Sequence, residues 1–418
     1  MAKTLVFKGE GVTTVASATR YYSCANTAGY NDTAEADSQI TYRTAGTLSN
    51  LLIHVYQTGT STFTLRTRIN GANGNQVVSW AGGTGEFEDT SNTDTVAAGD
   101  EVNYSIVSNA GTEPSFAVIR TLFAANSNTV IRHAVKSSGD ANYVNFALSS
   151  LTYYLMLAGR SNSVTIFTFG SMITEAWHKQ NFNSAGTLKN LFIYVPSNTR
   201  SDTTTIRSRR NSANGNLSIS VGASSTGIFE DTTNSDTVSV NDYLNYSITT
   251  GAGDGSMRVS IISAEFETTN NKFHALGGTL GGFTQTANTT RYPPIGGHLV
   301  GGTTESFTQT AIGMSATASN LFIYISFNGV TATSTHDLRK NGDSTAVTIS
   351  IDASTTGYFE DSSNTATFVA ADTINGRIAL GATGTSMTYR CGGLMLENTN
   401  PVSKIYMFNQ AVNRANTY

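Results

Sequence analysis

A chain of 418 residues with a formal net charge of -4, 13% charged residues and no basic run has room for two to four domains. It offers nothing with which to neutralise phosphates, which excludes nucleic acid as a partner. Its 18 Tyr and 20 Phe sit among many β-branched residues and few helix formers, which predicts an all-β fold with polar turns.

No apolar run reaches the roughly 18 residues of a membrane span, so no membrane partner is expected. The opening MAKTLVFKGEGVTT lacks the charged-then-apolar pattern of a signal peptide, and synthesis and folding in a cytoplasm is the expectation.

Taken in order, the chain lays out the same elements three times. Opening strands are expected at 3–7, 132–135 and 272–276, followed by 18–22, 151–154 and 289–292. A variable stretch comes next. It is longest in the second copy, where Trp177 and His178 mark a loop that suits glycan or partner contact. The clearest strands follow at 49–56, 189–196 and 319–326. Leu51, Ile53 and Val55 alternate with a second, rather apolar face, so these strands should be covered on both sides.

A Thr/Arg strand then runs into a hairpin, with Asn70-Gly71, Asn73-Gly74, Asn214-Gly215 and Asn341-Gly342 as sources of positive φ. After the return strand come the triplets Phe87-Glu88-Asp89, Phe229-Glu230-Asp231 and Phe359-Glu360-Asp361. Asp100, Asp242 and Asp372 precede the last pair of strands. About eight strands in about 130 residues predict a two-sheet antiparallel β-sandwich, jelly-roll-like and not immunoglobulin-like.

The domain reading is 1–131, 132–271 and 272–403, with three jelly rolls in a row or around a pseudo-threefold axis. A C-terminal strand or tail occupies 404–418. Residues 404–408 resemble the openings; the plain reading is a frayed terminus, and the alternative is that each opening strand completes the repeat before it. The tail would then finish the third repeat or a neighbouring subunit, which gives a route to self-association.

The three Glu-Asp pairs raise a glycosidase reading, but neighbours on a strand point to opposite faces and cannot flank one bond. Asp89, Asn92 and Asp94, with Asp231, Asn234 and Asp236, raise a calcium reading. The third copy has Asp361 and Asn364 but Ala366, so Asp89, Asp231 and Asp361 are read as structural turn residues that accept loop N–H groups. No metal, cofactor or catalytic residue is expected. Cys24 and Cys391 are read as buried free thiols. Arg68, Arg209 and Arg339 recur before the hairpin. They suit contact with partner carboxylates or sugars, or a plain solvent face.

Residues 320–374 run Asn-Leu-Phe-Ile-Tyr, then Leu-Arg-Lys-Asn-Gly-Asp, then Thr-Thr-Gly-Tyr-Phe-Glu-Asp, then Ala-Ala-Asp-Thr-Ile. This pattern resembles repeats in structural proteins of tailed bacteriophages, above all jelly-roll modules of decoration, fibre or tail proteins. The resemblance implies a non-enzymatic virion protein that decorates or bridges the capsid or tail surface through contacts with other virion proteins. The alternative it implies is an adhesin or receptor-binding fibre that holds host-surface glycans.

Overall fold

The computed structural model describes residues 5–13, 16–24, 33–125, 129–136, 144–160, 172–268, 270–296, 299, 301–312 and 315–399. The first repeat contains β1 (Leu5–Thr13), β2 (Thr19–Ser23), β3 (Ile40–Thr41), β4 (Gly46–Gln57), β5 (Phe63–Ile69), β6 (Ala72–Trp80), β7 (Gly85–Val96), β8 (Glu101–Ser108) and β9 (Ser115–Ala125). They form two antiparallel sheets, ordered β1-β9-β4-β7 and β2-β8-β5-β6, with β3 added beside β8. Leaving the short β3 aside, the eight strands pair first-eighth-third-sixth in one sheet and second-seventh-fourth-fifth in the other. That order defines a jelly roll.

The second repeat contains β10 (Thr129–Lys136), β11 (Val144–Phe146), β12 (Thr152–Leu155), β13 (Gly159–Arg160), β14 (Gln180–Phe182), β15 (Gly186–Val195), β16 (Ser197–Asn198), β17 (Thr204–Arg210), β18 (Ala213–Val221), β19 (Gly227–Val238), β20 (Asp242–Thr250), β21 (Met257–Val259) and β22 (Ile261–Thr268). The third contains β23 (Lys272–Thr286), β24 (Thr290–Arg291), β25 (Thr310–Ala311), β26 (Ala316–Val330), β27 (Ser334–Lys340), β28 (Asp343–Ile351), β29 (Gly357–Phe368), β30 (Thr373–Ala379) and β31 (Gly384–Asn398). The jelly-roll order returns as β10-β22-β15-β19 with β12-β20-β17-β18, and as β23-β31-β26-β29 with β24-β30-β27-β28. The two-residue strand β13 pairs in parallel with both β10 and β23, and so joins two four-stranded sheets into one of nine strands.

Two expectations change. Each opening strand pairs with the closing strand of its own repeat, β1 with β9, β10 with β22 and β23 with β31. Opening strands therefore complete their own sandwich and not the one before, because a jelly roll sets its first strand beside its last. Residues 404–418 lie outside the described residues.

The hairpin turn also moves. Positive φ falls on Asn70 and Gly71, on Asn211 and Ser212, and on Asn341 and Gly342, the two-residue form that matches strand twist. Asn73-Gly74 and Asn214-Gly215 lie inside β6 and β18.

The conserved layout of the triplet comes from an edge-strand problem. Strand β6 ends its sheet and presents N–H groups with no ladder partner. Asp89, buried on β7, supplies one: its Oδ2 accepts from Val77 N at 2.8 Å, while Oδ1 accepts from Ser91 N and Asn92 N, both at 3.0 Å. Asp231 accepts from Ser218, Thr233 and Asn234, and Asp361 from Thr348, Ser363 and Asn364, in the same way. The loop that each Asp caps is a bulge opposite a single Asn on the paired strand. Asn50, Asn190 and Asn320 sit there at φ 57°, 53° and 52°, a conformation that asparagine tolerates better than other residues with a Cβ.

A second carboxylate covers the next edge groups. Asp94 accepts from Asn75 N and from Thr67 Oγ1, both at 2.5 Å, and Asp236 does the same with Asn216 N and Ser208 Oγ. A Cβ on Gly74 or Gly215 would overlap these groups. The third repeat replaces the set together: Leu338 stands for the hydroxyl, Thr345 for the glycine and Ala366 for the aspartate. We predict that Gly215→Ala costs about 1–3 kcal/mol by overpacking, measured by denaturant unfolding. We also predict that Gly215→Thr is tolerated only alongside Ser208→Leu and Asp236→Ala.

Candidate functional site

The aspartates of the three Glu-Asp pairs, weighed for catalysis and calcium, are saturated by the protein's own donors. Burial pushes the Asp231 carboxyl up, but N–H bonds from Ser218, Asn234 and Thr233 outweigh it and bring it down to about 2. Asp89 and Asp361 are lowered against the same opposing burial by the matching donors. A carboxylate ringed by N–H groups is held as an acceptor by the fold, with its lone pairs spent.

The three hairpin arginines are spent in a similar way. Arg68 grips Glu35 with Nε and Nη2, each at 2.8 Å. Arg209 grips Glu175 at 2.9 and 3.1 Å, and Arg339 grips Glu305 at 2.9 and 3.2 Å. Each also caps its own turn through the carbonyl of Gly71, Ser212 or Gly342. The hydrogen bond to Glu35 raises Arg68 above its ordinary range, and Glu305 does so for Arg339. Planar, bidentate geometry makes this pairing specific to arginine.

Each glutamate opens a 3-10 turn, Glu35–Asp37, Glu175–His178 or Glu305–Phe307, in the stretch that reads as variable. The clamps thus fix the connection before β4, β15 and β26 to the hairpin that follows. Sequence reading missed these glutamates, although each precedes its arginine by 33 or 34 residues.

What the triplets do outside their own repeat appears at Glu230 and Glu360. The Arg43 guanidinium of repeat 1 grips Glu230 of repeat 2, with Nε at 3.1 Å from Oε1 and Nη2 on Oε2. The residue in the same place in repeat 2, Asn183, donates from Nδ2 to Glu360 of repeat 3 at 2.8 Å. In both cases the segment leading into the third strand of one jelly roll docks on the outer face of the next one's first sheet.

Apolar contacts agree with this. Phe192 and Ile261 of repeat 2 belong to the core of repeat 1, with Tyr194 packed against it. Tyr243 of repeat 2 meets Tyr358 of repeat 3 edge-on at 5.5 Å, and Tyr358 stacks on Phe322 at 5.4 Å. These faces explain why the strands at 189–196 and 319–326 are apolar on both sides. The docked faces carry small residues, Ser263 opposite Phe192 and Gly393 opposite Phe322. Repeat 1 has Arg120 opposite Leu52, with Nη2 3.7 Å from Glu88 Oε1.

Trp177 and His178 lie in the second of these interfaces. The Arg390 guanidinium of β31 sits 4.0 Å from the Trp177 ring centroid and donates from Nε to Ser326 Oγ at 2.9 Å. Cys391 Sγ donates to Lys179 O at 3.2 Å, and burial pushes this thiol up to about 12, which leaves it unreactive. Cys24 is likewise buried and forms no disulfide.

His178 is fully buried, with Nδ1 3.2 Å from Thr174 O, and burial brings it down to about 4. His274, also buried, accepts from Asn183 N at 2.9 Å through Nε2, and burial brings it down to about 3.

The sign of the pH effect follows. Unfolded histidine titrates near ~6.5, and the folded imidazoles stay neutral below that, so the unfolded chain binds more protons. Stability is full above about pH 6.5 and falls as the pH drops towards the folded values, by about 1.4 kcal/mol per pH unit for each histidine. Unfolding measured from pH 7 to 5 should show this slope, reduced in His274→Gln.

No protein-family model and no curated protein sequence matches the chain. A solved structure described as the triple jelly roll fold and turret assembly in an archaeal virus is similar over 96% of this chain and 92% of its own, at 14% identity and a TM-score of 0.18. Another, described as the atomic structure of Sulfolobus Turreted Icosahedral Virus, is similar over 86% and 82%, at 14% identity and a TM-score of 0.16. A Paenibacillus xanthan lyase is similar over 69% of this chain and 30% of its own, at 13% identity and a TM-score of 0.19. At these TM-scores the jelly-roll assignment rests on strand order alone.

Proposed function

We propose that the chain is a non-enzymatic structural protein of a virion surface, whose work is association through preformed faces of its jelly rolls. The observation that carries this reading is the use of Glu230 and Glu360. The residues with the most obvious chemical potential hold one jelly roll to the next, while the aspartates beside them hold sheet edges. A chain built from one docking geometry used twice suits an assembly protein. The resemblance of residues 320–374 to structural repeats of tailed phages points that assembly to a capsid or tail surface, with other virion proteins as partners and the virion as its location.

The test is quantitative mass spectrometry of purified particles. The proposal expects a copy number in a fixed ratio to the major virion components. Absence from particles, with the protein found only in cell cytosol, would overturn it.

A further inference from the structure

The outward face of β12, β20, β17 and β18 forms a polar cleft of about 370 Å³, lined among others by Thr152, Tyr154, Thr205, Arg207, Ser247 and Thr249. Arg209 at its margin is committed to Glu175 and lays its guanidinium 5.6 Å from the Tyr154 ring centroid. The guanidinium of Arg207, two residues earlier on the same face, has no hydrogen bond or ion pair among the described residues. Among the described residues no carboxylate lines the cleft.

The third repeat shows what satisfying this position looks like. Arg207 pairs in register with Ser247, and the corresponding pair in repeat 3 is Asp337 with Arg377, joined by a hydrogen bond from Nε to Oδ1 at 2.9 Å. Thr249, opposite Thr205, corresponds to Ala379, opposite Thr335. Repeat 3 has therefore closed the charge internally and dropped a hydroxyl, whereas repeat 2 holds an unspent guanidinium amid hydroxyls. Repeat 1 keeps Arg66 opposite Ser105 but has Val107 where Thr249 stands.

We infer that the cleft of repeat 2 binds a carboxylate-bearing saccharide, independently of the assembly role. The Arg207 fork takes the carboxylate in a bidentate grip. Ser247 and Thr205 offer hydroxyls that both donate and accept, and the Thr152 and Thr249 hydroxyls, bonded to each other at 3.0 Å, keep one donor and further acceptor positions between them, as the ring hydroxyls of a sugar require. A lone guanidinium without converging backbone N–H groups suits a planar carboxylate better than a phosphate. Trp177, whose ring faces Arg390, is not among the residues that line the cleft.

Calorimetry on the full chain with a uronic-acid trisaccharide, a neutral trisaccharide and inorganic phosphate tests this. The expected result is binding of the acidic sugar alone, weakened roughly tenfold or more by Arg207→Ala with an unchanged unfolding midpoint. Should Arg207→Ala disturb folding, Arg207→Asp/Ser247→Arg copies the pair that repeat 3 carries and should abolish binding in a folded chain. Failure to bind the acidic sugar, equal binding of the neutral one, binding of phosphate only, or acidic-sugar binding that survives in both variants would overturn the inference.

Discussion

Asp231→Ala should lower the stability of the chain by about 3 kcal/mol or more in denaturant unfolding. The carboxylate accepts from the backbone N–H groups of Ser218, Thr233 and Asn234, and a buried donor left without a partner costs about 1–3 kcal/mol. The Ser218 amide is the critical one, since it faces away from the ladder on an edge strand and the turn amides have better access to water. Asp231→Asn keeps one carbonyl acceptor and should cost about half as much. A loss under about 1 kcal/mol for the alanine variant would show that water replaces the carboxylate and that the triplet does not hold the sheets together.

The pH dependence of the same group has a definite sign. Its folded value lies near 2, below that of an unfolded aspartate. The stability it contributes is present above about pH 4 and is lost as the pH falls towards 2.

Arg43→Ala should cost about 2 kcal/mol and leave Glu230 half-screened at the face of repeat 2. The pair is bidentate and links two jelly rolls, and truncating one member of such a pair costs about 2–5 kcal/mol when it is desolvated. Part of each side chain still meets solvent, with 29% of Arg43 and 14% of Glu230 exposed, which places the expectation at the lower end and makes it fall with added salt. Glu360→Gln should cost less than Glu230→Gln, because Glu360 takes its inter-repeat bond from the neutral amide of Asn183. Equal costs would mean that charge plays no part in docking.

The fold could be read from the sequence because a jelly roll writes itself locally. Alternation in Leu51-Ile53-Val55, the Asn-Gly turn at Asn70 and the spacing of turn signals are properties of neighbouring residues; they gave the strand count, while the strand order comes from the pairing in the structure. Asp89 was legible for the same reason, since its partners at Ser91 and Asn92 are two and three residues away.

Docking was not legible. Glu230 and Asp231 are adjacent, but period-two geometry sends one into the sandwich and the other onto Arg43, 187 residues away. Nothing local distinguishes that Glu from a solvated one. The Arg-Glu clamps lay between these cases: the arginines stood out by recurrence, while their partners were hidden in a stretch whose length varies between copies. Trp177 stood out for its rarity, which carries no information about the Arg390 that it meets from the next repeat.

The joining of the jelly rolls by Glu230 and Glu360 is central to this structure. It is tested most directly by a double-mutant cycle of Arg43→Glu, Glu230→Arg and the two together, read by unfolding free energy. Each reversal alone should destabilise, and the swapped pair should recover most of the loss, with a coupling of about 1.5 kcal/mol or more. Additive effects, within about 0.5 kcal/mol, would contradict the account.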